Sequence, residues 1–208
     1  MPAEFYVFTN LLNPITKNNL EVTKGFTSGT IGDVIARPEV AEKYMGGTLD
    51  YLPFAPNDNP DLYTISVYAL NATSNYRIEY NCELYRKQHD ATKLYPSRLS
   101  CLYAFGDWAT CETVAEKYSW PLKEVRKFTL LNLPYTRVAK VNMEVVSLMR
   151  DLEPIATWPP EEQEIIWQHY WSGQGDLTLE AHGTVHHSDV MWEYLIEGRV
   201  ALVENRRL

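Results

Sequence analysis

Apolar and aromatic side chains dominate residues Glu4 to Thr9, between Pro2 and a turn-forming cluster at Asn10 and Asn13-Pro14. A short apolar run closed by turn residues predicts a buried strand that opens the fold. From Lys24 to Pro60 the chain is dense in Gly, Pro, Asn and Asp. That composition predicts loops with one short helix near Val34 to Tyr44, and it makes this stretch the natural place for a ligand-facing lid. Residues Leu62 to Leu70 read as a strand, although their mixed pattern leaves a helical turn open. Thr73 or Ser74 can then cap a helix running to about His89, with Tyr76, Tyr80, Leu84 and less regularly Ile78 as its apolar stripe. The other face, Arg77, Glu79, Glu83, Arg86 and Lys87, reads as a solvated charged surface.

Pro96 closes the connection to Ser97–Phe105, SRLSCLYAF, which is too apolar to face water on both sides and predicts a buried strand. Gly106 stops it and Asp107 caps a helix in which Trp108, Cys111, Val114, Ala115 and Tyr118 recur at helical spacing. A further strand is expected over Glu124 to Leu133 and a helix over Val141 to Leu152. Pro159, Pro160 and the acids Glu161 and Glu162 suit the start of a helix that runs to about Trp171. Met191 to Ile196 and Arg199 to Val203 flank a turn at Glu197-Gly198, giving a strand pair or one bent strand. Short strands and helices in close alternation, with no linker-like stretch, predict one α+β domain over residues 1–208. Two small, twisted, mainly antiparallel sheets with flanking helices are expected, with the Ser97–Phe105 strand central and the helix from Asp107 packed on it.

Composition narrows the possible partners. With 27 acidic and 19 basic residues the net charge is −8, so the average surface repels polyphosphate and general nucleic-acid binding is disfavoured. A small nucleotide needs only a few local donors and remains compatible. The 14 Tyr and 6 Trp supply flat rings for a core or for stacking. Cys82, Cys101 and Cys111 lack CxxC spacing and read as reduced core thiols. No leader-like N-terminus or long apolar run is present, so no membrane association and a cytoplasmic location are expected.

Phosphate-loop glycines, GxSxG and HExxH are all missing from the sequence, which sets Rossmann, P-loop and common hydrolase sites aside. His182, His186 and His187 sit in what reads as a loop. The two adjacent histidines would point to opposite faces of a strand, so no metal site is expected.

The segment LYAFGDWATCETVAEKY, residues 102–118, resembles the strand-to-helix segment of ADP-ribosyltransferases of the diphtheria-toxin and poly(ADP-ribose) polymerase type. There a strand reading roughly G-x-Y-F-A enters a helix bearing Ala and a later Tyr, here Tyr118. The blocks PSRLSCLYAF, Tyr170-Trp171 and EYLIEG, in that order, are also similar to an uncharacterised bacterial family with an SRLSCLY strand and a terminal E-x-L-x-x-G strand. These resemblances imply an ADP-ribosyltransferase-like fold and NAD as the substrate, with ADP-ribose passed to a protein or nucleic-acid acceptor or to water.

On that resemblance Tyr103 stacks on the nicotinamide ring, and Glu193, on the last long strand, steadies the positive charge that develops on the ribose. Glu197, next to a turn, reads as facing solvent. Arg98 and Ser100 are candidates to hold phosphate or ribose, with a structural salt bridge the competing role for Arg98. The first strand lacks the Arg or His of the family and offers Tyr6, Thr9 and Asn10 instead, so a non-catalytic module that binds a nucleotide or a protein is the alternative.

Overall fold

A computed structural model describes residues 2–50 and 76–203 of the chain. The strand expected at Leu62 to Leu70 and the helix cap at Thr73 or Ser74 lie outside the described residues. Within them the order is β1 (Glu4–Phe8), α1 (Pro14–Asn18), a π-helical turn (Asn19–Thr23), β2 (Gly25–Thr27), α2 (Gly29–Ala36), α3 (Pro38–Gly46) and α4 (Tyr76–Gln88). There follow β3 (Leu102–Ala104), α5 (Trp108–Tyr118), a 3₁₀ turn (Leu122–Glu124), β4 (Val125–Leu131), β5 (Arg137–Asn142), α6 (Met143–Leu152) and α7 (Pro160–Trp171). The last elements are β6 (Thr178–Ala181), β7 (Thr184–His187), β8 (Trp192–Glu197) and β9 (Arg199–Leu202).

The α+β class expected from the sequence is what forms. One sheet has the order β1-β4-β9-β2 and a second the order β3-β8-β5, with β6-β7 a separate hairpin. Every pairing is antiparallel. Phe5, Ala104, Phe128, Ile196 and Val200 make a buried layer drawn from both larger sheets. The other face of the second sheet, through Val141 and Leu195, packs under Ile78 and Cys82 of α4, Val145 and Met149 of α6, and Ile166 and Tyr170 of α7. The central strand is therefore β8, buried on both faces, and β3 is an edge. This corrects the expectation that the Ser97–Phe105 segment is central.

That segment is also not one strand. Ser97 to Ser100 winds into a turn, with the Ser100 and Cys101 amides donating to Ser97 O at 3.3 and 3.0 Å. The turn lets polar side chains from successive positions reach carboxylates in several directions, which the two-faced alternation of a strand would forbid. Asp107 does cap α5, its Oδ1 accepting from the Thr110 amide at 2.7 Å. Of the stripe expected on α5, Cys111 and Val114 are buried, while Trp108 is 42% exposed and packs edge-on against Tyr6.

Four further readings shift. Residues 24–50 carry β2 and two helices rather than one. Val141 and Asn142 end β5, and Asn142 then caps α6 by accepting from the Glu144 amide. The chain around the histidines is a hairpin, not a loop. β8 and β9 belong to different sheets, so the Glu197-Gly198 turn carries the chain from one sheet to the other. Cys82, Cys101 and Cys111 are buried and free of disulfides. Among the described residues no helix is long and apolar enough to cross a membrane.

Val114 is 0% exposed between Cys111, Phe105 and Val125. Val114→Asp places an unpaired charge there and should lower the unfolding free energy by about 3–5 kcal/mol. Urea titration followed by tryptophan fluorescence checks it, and an unchanged midpoint would contradict the packing described.

Candidate functional site

Antiparallel pairing sets Tyr103 opposite Leu195 and Ala104 opposite Tyr194. Side chains two apart on a strand share a face, so Tyr103 and Glu193 emerge on the same side of the sheet as Leu195. Above them is a cavity of about 320 Å³. Its rings are Phe8 of β1, Tyr103, Phe105, Tyr118 and Trp120. Its polar groups are Arg98, Glu193 and, from α6, Ser147 and Arg150. Of the residues singled out in the sequence, the fold brings together Tyr103, Tyr118, Arg98 and Glu193.

The floor of this cavity is a buried ion network. Arg98 Nη1 lies 2.7 Å from Glu193 Oε1 and donates at 2.6 Å to the Tyr170 hydroxyl, while Nε lies 3.0 Å from Glu79 Oε2. The same guanidinium sits 5.2 Å from the Tyr103 ring centroid, and the Tyr103 hydroxyl donates to Arg98 O at 2.5 Å. Glu79 Oε1 accepts from Arg150 Nη2 at 2.7 Å. A planar guanidinium with donors on three nitrogens suits such a junction, where a lysine could not span both carboxylates.

A second branch runs beside the first. Glu83 binds Arg86 through both carboxylate oxygens, at 2.6 and 3.0 Å, and accepts from Ser97 Oγ at 2.9 Å. Glu197 Oε1 accepts from the Ser97 amide, Ser100 Oγ and Thr30 Oγ1. Its Oε2 has no hydrogen-bond partner among the described residues.

Several sequence readings are corrected by this network. Glu79, Glu83 and Arg86 are each 1% exposed, so this part of α4 is no solvated face. The buried side of α4 instead joins Ile78, Cys82 and Tyr85 to these three charged residues, while Tyr80 and Leu84 are only half-buried. Glu197 is fully buried rather than facing solvent. Ser100 serves Glu197 and does not reach the cavity. Arg98 takes the structural role that was weighed against ligand binding.

The first-strand candidates also lie elsewhere. Tyr6 lines a separate depression with Trp108 and Glu4. Thr9 is a latch, its hydroxyl donating to Glu124 O at 2.6 Å. The missed signal was in the sequence: Glu79, Glu83 and Arg86 recur at i, i+4 and i+7, a helical stripe of its own.

Burial raises the Glu193 carboxyl above the ordinary glutamate value, outweighing the pull of Arg98 in the other direction. The Tyr118 hydroxyl, half-buried and donating to Glu144 Oε1, is pushed up to about 12 by desolvation and then by that carboxylate. His182 sits in the hairpin turn and contacts Ile155 O, and His187 contacts Thr178 Oγ1. Among the described residues no group of three or more His, Cys, Asp and Glu could hold a metal ion. Comparison of the chain with protein-family models and with curated proteins gives no match.

Removing one partner of a buried ion pair costs more than replacing both by apolar groups. Glu83→Ala should therefore destabilise by about 3–5 kcal/mol, and Glu83→Met with Arg86→Met should recover most of that loss. A double-mutant cycle in urea measures it, and additive losses would contradict the pairing.

Proposed function

We propose that the cavity receives the nicotinamide end of NAD and that the chain catalyses ADP-ribosyl transfer or NAD glycohydrolysis on an ADP-ribosyltransferase-like fold. The observation that carries the reading is the meeting of Tyr103 and Tyr118, from one stretch of sequence, with Glu193, from a distant one, around one cavity. Ligand sites span roughly 300–1,000 Å³, so a cavity of about 320 Å³ suits one end of a dinucleotide rather than the whole. Its rings suit a flat, cationic pyridinium, because an aromatic face presents negative charge.

Tyr103 and Tyr118 supply stacking surface, and the rings of Phe8, Phe105 and Trp120 keep water out. Glu193 faces the carbon–nitrogen bond that joins ribose to nicotinamide. As that bond breaks, the electron pair leaves with the ring nitrogen and positive charge grows on the sugar. A fixed carboxylate lowers the energy of that charge. A water or an acceptor nucleophile then bonds to the sugar carbon and releases its proton to solvent. Arg98 holds Glu193 Oε1 at 2.7 Å and so fixes the direction of the carboxylate. The same contact favours the second reading, a nucleotide-binding module without turnover, because a carboxylate already paired with a guanidinium has less charge to offer.

Turnover and binding separate the two. Glu193→Gln keeps the shape and removes the charge, so nicotinamide release should fall on the order of 100-fold or more, roughly 3 kcal/mol of barrier, with NAD still bound. Tyr103→Ala should chiefly weaken NAD binding. Binding by the wild-type chain with no nicotinamide released, alone or with cell lysate, would identify the non-catalytic module.

The pH dependence follows from the same carboxylate. The active form is ionised and burial raises its pKa, so activity should be lost on acidification at a pH above the ordinary glutamate range. A pH–rate profile whose acid limb falls at or below that range would contradict the role given to Glu193.

A further inference from the structure

We infer that the groove between α4 and α7 binds a small amphipathic cation, an ammonium head on an apolar body, with His89 Nε2 and the Glu164 carboxylate as the seat of the head. The residues of α4 that line this groove recur at i, i+3, i+4 and i+7 from Asn81, and those of α7 recur at the same spacing from Pro160. Each set is therefore one helical face. With His89, just past the end of α4, the two faces enclose about 470 Å³, within the range of small-ligand sites. No residue of this groove lines the aromatic cavity.

Hydrogen bonds already made inside the groove decide which groups are left for a ligand. Asn81 Nδ2 donates to Gln163 Oε1 at 2.7 Å, and Gln163 Nε2 donates to Trp158 O at 2.7 Å. Asn81 Oδ1 is left as an acceptor without a partner among the described residues. His89 Nδ1 lies 2.8 Å from Tyr85 O. A carbonyl only accepts, so Nδ1 carries the proton and Nε2 of the neutral ring presents a lone pair. That lone pair faces Glu164 Oε1 across 3.5 Å. Two acceptors so placed share no hydrogen, and one ammonium nitrogen can donate to both at ordinary hydrogen-bond distances.

Charge and shape select the same ligand. With the imidazole neutral, Glu164 is the single charge among the described residues that line the groove. An anion would meet Glu164, the Nε2 lone pair and Asn81 Oδ1, all acceptors, and is rejected. The Tyr85 ring stacks on His89 with centroids 3.8 Å apart, and its hydroxyl is raised above the ordinary tyrosine value by burial and then by the Glu164 charge, so it stays neutral. Leu84, Pro160 and the indole of Trp167 supply the wall for an apolar body, and the rings attract a cation.

The test is titration of the full chain with hexylammonium, hexyltrimethylammonium and hexan-1-ol at pH 8, above the ordinary imidazole range, followed by calorimetry and ¹H–¹⁵N NMR. Hexylammonium should bind with a Kd of about 1 mM or tighter. The trimethyl compound, which has no N–H, and the neutral alcohol should each bind about 10-fold or more weakly. Shifts of the Asn81 and Gln163 side-chain amides should mark the groove. Glu164→Gln should lower hexylammonium affinity about 10-fold and leave the alcohol nearly unchanged, and His89→Phe, which keeps a ring on Tyr85, should lower it by a smaller factor. Glu161→Gln removes an exposed acid of α7 outside the groove and should change nothing, which separates the seat from general attraction to an acidic chain. No binding of hexylammonium, equal affinity for the ammonium and the alcohol, an affinity that survives Glu164→Gln, or an equal loss in Glu161→Gln would each overturn the inference.

Discussion

Arg98 is the junction on which the second sheet, the helices above it and the cavity all depend. Its guanidinium joins Glu79 of α4 to Glu193 of β8 and the Tyr170 hydroxyl of α7, while its carbonyl holds Tyr103 of β3. Four elements are thus tied through one residue of a turn. Taking these charges out of water is expensive, and only dense pairing offsets it. The offset is incomplete at Glu193, where burial wins over Arg98 and raises the carboxyl. With a raised pKa in the folded state, this group's contribution to stability is fully present below its unfolded-state value. It is lost as the pH rises through the folded value. Ionised Glu193 is therefore a local expense of stability at the position where a charged carboxylate has a chemical use.

The turn at Ser97 to Ser100 explains why so many polar groups can be buried together. Ser97 offers its hydroxyl to Glu83 and its amide to Glu197, Arg98 spans Glu79 and Glu193, and Ser100 reaches Glu197. The carboxylates arrive from two regular elements. Glu79 and Glu83 are one helical turn apart on α4, and Glu193 and Glu197 stand on the same face of β8 on either side of Leu195. Leu195 is fully buried between them and keeps the two branches apart. The branch around Glu193 opens on the cavity, and the branch around Glu197 fastens the start of α2 through Thr30.

Local patterns in the sequence carried much of the architecture. Capping at Asp107, the proline start of α7 and the apolar run of β1 rest on interactions among near neighbours, and each of those elements forms. Which strand is central depends on pairing between distant segments, and no local pattern encodes that. For β8, the apolar residues and the two acids gave no warning that both faces are covered. The charged stripe of α4 misled for a related reason. A glutamate buried at 1% exposure and one in water look alike until its partner is known, and the partners of Glu79 lie at Arg98 and Arg150, far along the chain.

The candidate site shows the same division between local and distant information. Tyr103 and Glu193 were legible because each sits in a recognisable strand, and antiparallel pairing then puts them on one face. Arg150 was invisible, since nothing in α6 as a sequence distinguishes it from any exposed helical arginine. Its place follows from packing: α6 lies over the second sheet with Val145 and Met149 buried at 0% and 4%. Rotation about the helix axis then turns Ser147 and Arg150 toward the cavity rim. Arg150 shares Glu79 with Arg98, whereas replacing the Arg98 side chain also takes a partner from Glu193 and Tyr170, and only the Tyr103 contact, made to the Arg98 carbonyl, stays with the backbone. The two arginines are bridged by a single carboxylate, Glu79, which binds Nε of Arg98 through Oε2 and Nη2 of Arg150 through Oε1.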